Sequence, residues 1–148
     1  MRALLQRVTS ASVSTNGAQI ASIGPGLVVL LGVGHADDAA TADALALKVA
    51  ELRIFRDADG RTNRALLDTE GGAIVVSQFT LYADTSRGRR PGFTDAGDPA
   101  LAEQLYQRFA AALRNAGVRD VQTGSFGAEM AVELVNDGPF TIWLDSAR

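Results

Sequence analysis

The sequence predicts an α+β fold in a single domain, residues 1–148. Three observations carry this reading. Alternating or continuous apolar segments near both ends of the chain have strand character. Two stretches between them repeat apolar residues at helical spacing. Short breaks containing Gly, Asn and Pro separate these segments, and there is no internal repeat or linker. A chain of 148 residues fits one core, and strand pairs with inserted helices make an α+β domain.

Taken in order, Ala3 to Thr15 alternates and is rich in β-branched residues. Asn16-Gly17 is a strong two-residue hairpin signal, and Ala18 to Ile23 reads as the returning strand. Gly24-Pro25-Gly26 breaks the chain before the continuous apolar run Leu27 to Leu31, a strand expected to be buried on both faces. Asp37 and Asp38 stand where a helix would be capped, and Leu45, Val49 and Leu52 follow at i, i+4 and i+7. Asp57 to Gly72 is polar and reads as a loop with one weak element; Ala73 to Phe79 reads as a strand. Asp84 to Asp98 has no apolar periodicity and holds four glycines and prolines, so it reads as a long functional loop or a packed excursion.

Asp98 as cap and Pro99 in the first turn open a second helix. Its stripe is Leu105, Phe109, Ala112 and Leu113, and Gly117 ends it. Val118 to Phe126, Met130 to Val135 and Phe140 to Leu144 are the last expected strands. Between the final two, Asn136-Asp137-Gly138-Pro139 reads as a hairpin turn. The proline is awkward there, because it removes a ladder donor where the returning strand should begin.

The composition excludes several kinds of chemistry. With no cysteine and one histidine, the chain has no disulfide framework, thiolate metal site or cysteine nucleophile. His35 lies in an expected strand-to-helix loop, where a solvated histidine is the simple reading. Carboxylates show no ligand spacing, and neither a P-loop nor a dinucleotide fingerprint is present. A net charge of −3 argues against broad duplex binding but leaves room for a site that takes a nucleic-acid end. Arg87, Arg89 and Arg90 cluster in TSRGRRPGF, either as a solvated loop or as phosphate contacts. Leu4-Leu5 is too short for a signal segment and Gly26 to Gly34 too short to span a membrane, so a cytoplasmic chain with no membrane partner is expected.

The remaining polar feature is SQFTLYAD, Ser77 to Asp84. On a strand, Gln78 and Thr80 would share one face, with Ser77 and Phe79 on the other. By residue type alone the pair could simply close the strand end through local hydrogen bonds.

Together, SQFTLYAD and NDGPFT resemble the two signature motifs of the D-aminoacyl-tRNA deacylase family, the bacterial-type D-Tyr-tRNA deacylases. The similarity extends through MRALLQRV, IGPGLVVLLGV, LRIFRD, VVSQFTLYADTSRGRRPGF, LYQRF and TGSFGAEMAVELVNDGPFTIWLD. Gly92 and Ala65 depart from the family, where serine is common at both positions.

The resemblance implies antiparallel β-sheets packed as a partly open barrel with two main helices. It implies a homodimer with active sites at the interface and no metal or cofactor. The implied reaction is hydrolysis of D-aminoacyl-tRNA, and of glycine mischarged on tRNA for alanine, with the tRNA 2′-hydroxyl handling protons. Ser77, Gln78, Phe79 and Thr80 become the expected catalytic segment. Backbone N–H groups around Phe79 and Thr80 would stabilise the oxyanion; no neighbouring base is evident to make Thr80 a nucleophile. Asn136, Gly138, Pro139 and Thr141 become the expected chiral selector, a Gly-cisPro corner whose carbonyls reject L side chains in the partner's pocket.

Arg7 has two readings, a strand-surface arginine or the holder of that corner. Terminal adenine could stack on Phe79 or Phe126, although both also read as core residues. A non-catalytic dimeric module that binds nucleic-acid ends stays open as an alternative.

Overall fold

The computed structural model describes residues 1–147. Strands β1 (Arg2–Thr15) and β2 (Ala18–Ile23) form the N-terminal hairpin. Asn16 and Gly17 both take positive φ, 50° and 76°, as a tight turn matching strand twist requires. Strand β3 (Gly26–Gly32) pairs with the first half of β1 and leads into helix α1 (Ala39–Glu51). Asp38 caps α1 by accepting the Thr41 N–H at 2.8 Å.

A two-stranded ribbon follows, β4 (Phe55–Arg56) with β5 (Thr62–Arg64); β4 precedes the polar stretch from Asp57 to Gly72, and β5 lies inside it. Then come β6 (Gly72–Ser77), helix α2 (Pro99–Ala116), β7 (Asp120–Thr123) and β8 (Ala131–Asp145). Gly117 ends α2 in the left-handed conformation, φ 109°. Asp98 precedes α2 as expected, but its side chain makes no capping hydrogen bond.

The main sheet runs β2-β1-β3-β6-β7, with β8 on the other side of β1. It is mixed: β3–β6 and β6–β7 are parallel, alongside antiparallel β1–β2, β1–β3 and β1–β8 pairs. The parallel pairs follow from connectivity, because α1 lies in the crossover from β3 to β6 and α2 in that from β6 to β7. The Gln122 side chain bonds both the N–H and the C=O of Ser22, linking β7 to β2 and nearly closing the sheet into a barrel.

Strand β3 is buried on both faces, and its alternation feeds two cores. Leu27, Val29 and Leu31 join Ala73, Val75, Leu105, Phe109 and Leu113 beneath the helices. Val28 points the other way, with Val8, Val13, Ile74 and Val76. Each fully buried Val, Leu, Ile or Phe among them contributes roughly 1.5–3 kcal/mol by leaving water. Phe109 is fully buried, so truncation to alanine costs about 3–5 kcal/mol.

The C-terminal hairpin expected around Asn136-Asp137-Gly138-Pro139 does not form. Residues 131–145 are one strand, and both halves pair with β1. Val8 pairs with Asn136 and Gln6 with Thr141, so residues 137–140 bulge out opposite the single residue Arg7. The proline thus occupies an excursion from the ladder, where no donor is required.

Candidate functional site

Strand β6 stops at Ser77, two residues short of the expected strand end. Gln78 adopts φ −143°, ψ 77°, and Phe79–Tyr82 forms a single 3₁₀ turn. The shared strand face expected for Gln78 and Thr80 is therefore replaced by a turn, across which the Gln78 amide donates to the Thr80 hydroxyl. Phe79 and Thr80 open the turn, where backbone N–H groups have no acceptor within it.

The turn is fastened on several sides. Gln78 N–H donates to the Leu31 carbonyl at 2.8 Å, continuing the β3–β6 ladder. It lies directly against β3: a Cβ on Gly32 would come within 3.0 Å of the Gln78 carbonyl oxygen and 3.2 Å of Leu81 Cβ. The Arg2 guanidinium donates to the Leu81 carbonyl at 2.9 Å and lies 4.3 Å from the Tyr82 ring centroid. Burial, reinforced by the Asp37 charge, pushes the Tyr82 phenol well above its ordinary pKa, so it stays protonated.

Ser77, Gln78 and Phe79 line a cavity of about 650 Å³ between this turn, the start of α2 and the segment after β7. That volume suits a small organic ligand group. Phe79 is 56 % exposed and meets Phe93 edge-to-face, with centroids 5.0 Å apart. The core reading of Phe79 is thus overturned: its ring stands at the cavity. Phe126 is partly buried and also lines the cavity. Sequence reasoning missed Phe93, Asp98 and Met130, which also line the cavity. Asp98 was read as a helix cap, and the unused capping position leaves its carboxylate facing solvent beside the cavity.

The second motif builds a separate feature. The Gly138-Pro139 peptide is cis. Arg7 lies behind the excursion, 1 % exposed, so it is no surface arginine. Its Nε donates to the Asp137 carbonyl at 3.1 Å and pairs with the Asp137 carboxylate at 3.0 Å, while Nη1 donates to the Ile54 carbonyl at 2.5 Å. Its guanidinium carbon sits 4.1 Å from the Phe140 ring centroid.

Asn136 closes the excursion from inside, donating to the carbonyls of Arg7 at 2.9 Å and Phe140 at 3.1 Å. Gln6 donates to the Thr141 hydroxyl at 3.2 Å. A Cβ on Gly138 would lie 2.8 Å from Asn136 Oδ1, so a larger residue there would have to shift the Asn136 side chain. The structure thus brings Arg7, Asn136, Gly138, Pro139 and Thr141 into one corner, but none of them lines the cavity that holds the first motif. Thr80 is exposed and also lies off the cavity wall.

His35 is exposed, with Nε2 2.8 Å from the Thr94 carbonyl. Arg87, Arg89 and Arg90 are exposed in the loop between the 3₁₀ turn and α2. Among the described residues, no helix is long and apolar enough to cross a membrane.

Comparison with known proteins places these features in a family. The family model described as D-Tyr-tRNA(Tyr) deacylase matches residues 4–145. A D-aminoacyl-tRNA deacylase of Dinoroseobacter shibae is 62% identical, covering 98% of this chain and 99% of that protein. One of Thermomicrobium roseum is 60% identical, covering 100% of this chain and 96% of that protein.

Among solved structures, one titled c-Myc DNA Unwinding Element Binding Protein superimposes with TM-score 0.92 at 38% identity, covering 98% of each chain. A probable eukaryotic D-amino acid tRNA deacylase shares the fold, with TM-score 0.86 at 17% identity over 97% of each chain. The model match spans nearly the whole chain and includes both the Ser77–Tyr82 segment and the Asn136–Thr141 corner: the chain belongs to the D-Tyr-tRNA(Tyr) deacylase family.

Proposed function

We propose that this protein is an editing hydrolase that cleaves the ester between a D-amino acid and the terminal ribose of tRNA. D-aminoacyl-tRNA deacylation is the activity that membership of the family supports. The observation that carries the reading is the placement of Ser77, Gln78 and Phe79 on the wall of the cavity.

The chemistry is consistent with that wall. An aminoacyl ester is already activated, so positioning and oxyanion stabilisation account for most of what the protein must provide. The N–H groups of Phe79 and Thr80 would supply that stabilisation, and the 2′-hydroxyl of the tRNA would handle the proton. Phe79, exposed at the rim, offers an aromatic face for the terminal adenine. Arg87, Arg89 and Arg90 would meet acceptor-stem phosphates, making affinity salt-dependent. An aminoacyl-tRNA substrate would put this work in the cytoplasm.

Selection against L-aminoacyl-tRNA is assigned to the Gly138-Pro139 corner. In this reading a second copy of the chain docks along β8 and presents its corner to the cavity. Support comes from β8 itself. It pairs with β1 alone and exposes Val135 and Trp143, 57 % and 46 % accessible. Main-chain carbonyls would block an L side chain, whereas glycine has none to block, so glycine mischarged on the tRNA for alanine would also be cleaved.

The test is direct. The protein is incubated with D-Tyr-tRNA, L-Tyr-tRNA and glycyl-tRNA, and ester loss is followed. Rapid loss of the D and glycyl esters with the L ester spared is expected. If none is lost faster than in buffer, the enzyme reading fails. The non-catalytic reading, a dimeric module for nucleic-acid ends, would then take over; the structure titled as a DNA-unwinding-element binding protein speaks for it.

A further inference from the structure

We propose that Met130 is a site of reversible oxidation by peroxides, at which the methionine sulfoxide distorts the cavity wall and lowers turnover. The effect on turnover rests on the deacylase reading, but the chemistry at sulfur does not.

The sulfur inventory narrows the choice. The chain has two methionines and no cysteine. Met1 is 2 % exposed, within the main core. Met130 is partly exposed and lines the cavity, so oxidation of accessible sulfur falls on this residue.

Its surroundings make the thioether structurally demanding. The sulfur accepts the Ser125 N–H at 3.3 Å. A Cβ on Gly124 would lie only 2.6 Å from it, so the sulfur rests on bare backbone. The segment that it fastens carries Phe126, Gly127 and Ala128, all on the cavity wall. Phe126 in turn packs on Tyr106, whose hydroxyl donates to the Val75 carbonyl at 3.0 Å and lies 3.3 Å from the Gly124 carbonyl.

In the reaction, a sulfur lone pair attacks one peroxide oxygen and the O–O bond breaks. With hydrogen peroxide, an S–O bond forms and the second oxygen leaves as water after proton transfer. Sulfur loses two electrons and the peroxide gains them. The product is polar and pyramidal at sulfur. An oxygen added on the Gly124 side finds no room, so in that epimer the side chain withdraws or pushes the 124–128 segment aside. Withdrawal breaks the contact with the Ser125 N–H, and a shift of the segment moves Phe126 on the cavity wall; in the other epimer the polar oxygen faces the cavity itself.

The test treats the folded protein with hydrogen peroxide, maps oxidised peptides by mass spectrometry and measures D-Tyr-tRNA deacylation. Expected are one added oxygen on the Met130 peptide and a fall in turnover of about tenfold, the size a lost ~1.4 kcal/mol contact would give. Methionine sulfoxide reductase should restore it. Met130→Leu keeps an apolar side chain without sulfur, and the fraction of its own activity that survives peroxide should stay near one. The proposal is overturned if Met130 stays unoxidised in the folded protein, if its oxidation leaves turnover unchanged, or if Met130→Leu loses as large a fraction. Absence of turnover before treatment would instead sink the deacylase reading; peptide mapping would still decide the chemistry at sulfur.

Discussion

Arg7 Nε lies 3.0 Å from an oxygen of the Asp137 carboxylate, joining the middle of β1 to the excursion in β8. The arginine is buried and the aspartate partly exposed, and the same guanidinium also reaches the Ile54 carbonyl. Three segments distant in sequence therefore meet at one cation. Removing it leaves the Ile54 carbonyl without this donor and the partly exposed Asp137 carboxylate with only Arg56, 3.4 Å away, so Arg7→Ala should lower stability by about 1–3 kcal/mol. Arg7→Lys keeps the charge without the planar fork, and should retain the fold but lose a large part of its activity on D-Tyr-tRNA. Denaturant unfolding and deacylation assays measure the two. A loss below about 1 kcal/mol in Arg7→Ala would show that the pair does not hold the corner.

Gly138→Ala tests the corner with a single methyl group. The added carbon would meet Asn136 Oδ1 at 2.8 Å, while the Asn136 amide nitrogen already holds two carbonyls. Forcing Asn136 away should cost about 1–3 kcal/mol and weaken discrimination between D- and L-Tyr-tRNA. The ratio of the two cleavage rates is the measurement. Unchanged stability and an unchanged ratio would mean that the clamp is dispensable.

Two substitutions separate the candidate proton carriers. Thr80 is exposed off the cavity wall and its hydroxyl is bonded by Gln78, with no base beside it among the described residues. Thr80→Ala should therefore keep turnover within about tenfold, since the backbone N–H remains. Near-complete loss with tRNA binding intact would move the nucleophile reading of Thr80 to the front. Asp98 is the one carboxylate on the wall. If the 2′-hydroxyl handles the proton, Asp98→Asn should retain turnover and leave its pH profile in place. A turnover that collapses and loses its acid limb would make Asp98 the base.

The first motif was legible as polar residues at a strand end, but its geometry was not. Period-two reasoning carried the strand through Phe79 because nothing in SQFT breaks an alternating pattern. The 3₁₀ turn packs closely against a neighbouring strand, with Gln78 and Leu81 at Gly32, a tertiary contact that period-two reasoning does not contain. The same limit produced the mistaken C-terminal hairpin: Asn-Asp-Gly-Pro has turn chemistry, but the long β1 strand offers both halves of β8 a partner. Arg7 stayed ambiguous because its burial depends on Ile54 and Asp137, both remote in sequence. By contrast, the Asn16-Gly17 hairpin, the doubly buried β3 and the Gly117 stop depend on local backbone or on period alone, and these were readable.

Acid should destabilise the fold through particular carboxylates. Hydrogen bonds from the Thr41 hydroxyl and N–H hold Asp38 below its ordinary 3.8. Asp145 is lowered by the Ala147 N–H and then by Arg2, and Asp43 by its bond to Arg108. A group whose pKa is depressed on folding contributes stability that is fully present above its unfolded pKa and lost as pH falls through the folded one. The melting temperature should thus be insensitive to these groups above about pH 5 and fall below about pH 4. Asp38→Asn should lower it at neutral pH and flatten the acid limb. Melts followed by circular dichroism across this range check it; an unaltered acid slope in Asp38→Asn would remove that residue from the account.

The exposed side of β8 leads to a prediction about assembly. A 15-residue strand that pairs only with β1 presents unpaired backbone groups and the side chains of Val135 and Trp143. Trp143 also lies 5.8 Å from the Arg2 guanidinium, so changing it would disturb the fold near the 3₁₀ turn. Val135 is the cleaner probe, because it is already 57 % exposed within one chain. Val135→Glu should leave the circular dichroism spectrum and melting of the single chain nearly unchanged. It should convert a dimer to a monomer in sedimentation velocity, because the charge would be buried against its own copy. Turnover should fall with the dimer and recover partly at high protein concentration, by mass action. A Val135→Glu protein that stays dimeric would place the interface elsewhere. A monomeric wild-type protein with full activity would instead show that one chain suffices, and that its own cavity and corner work without a partner.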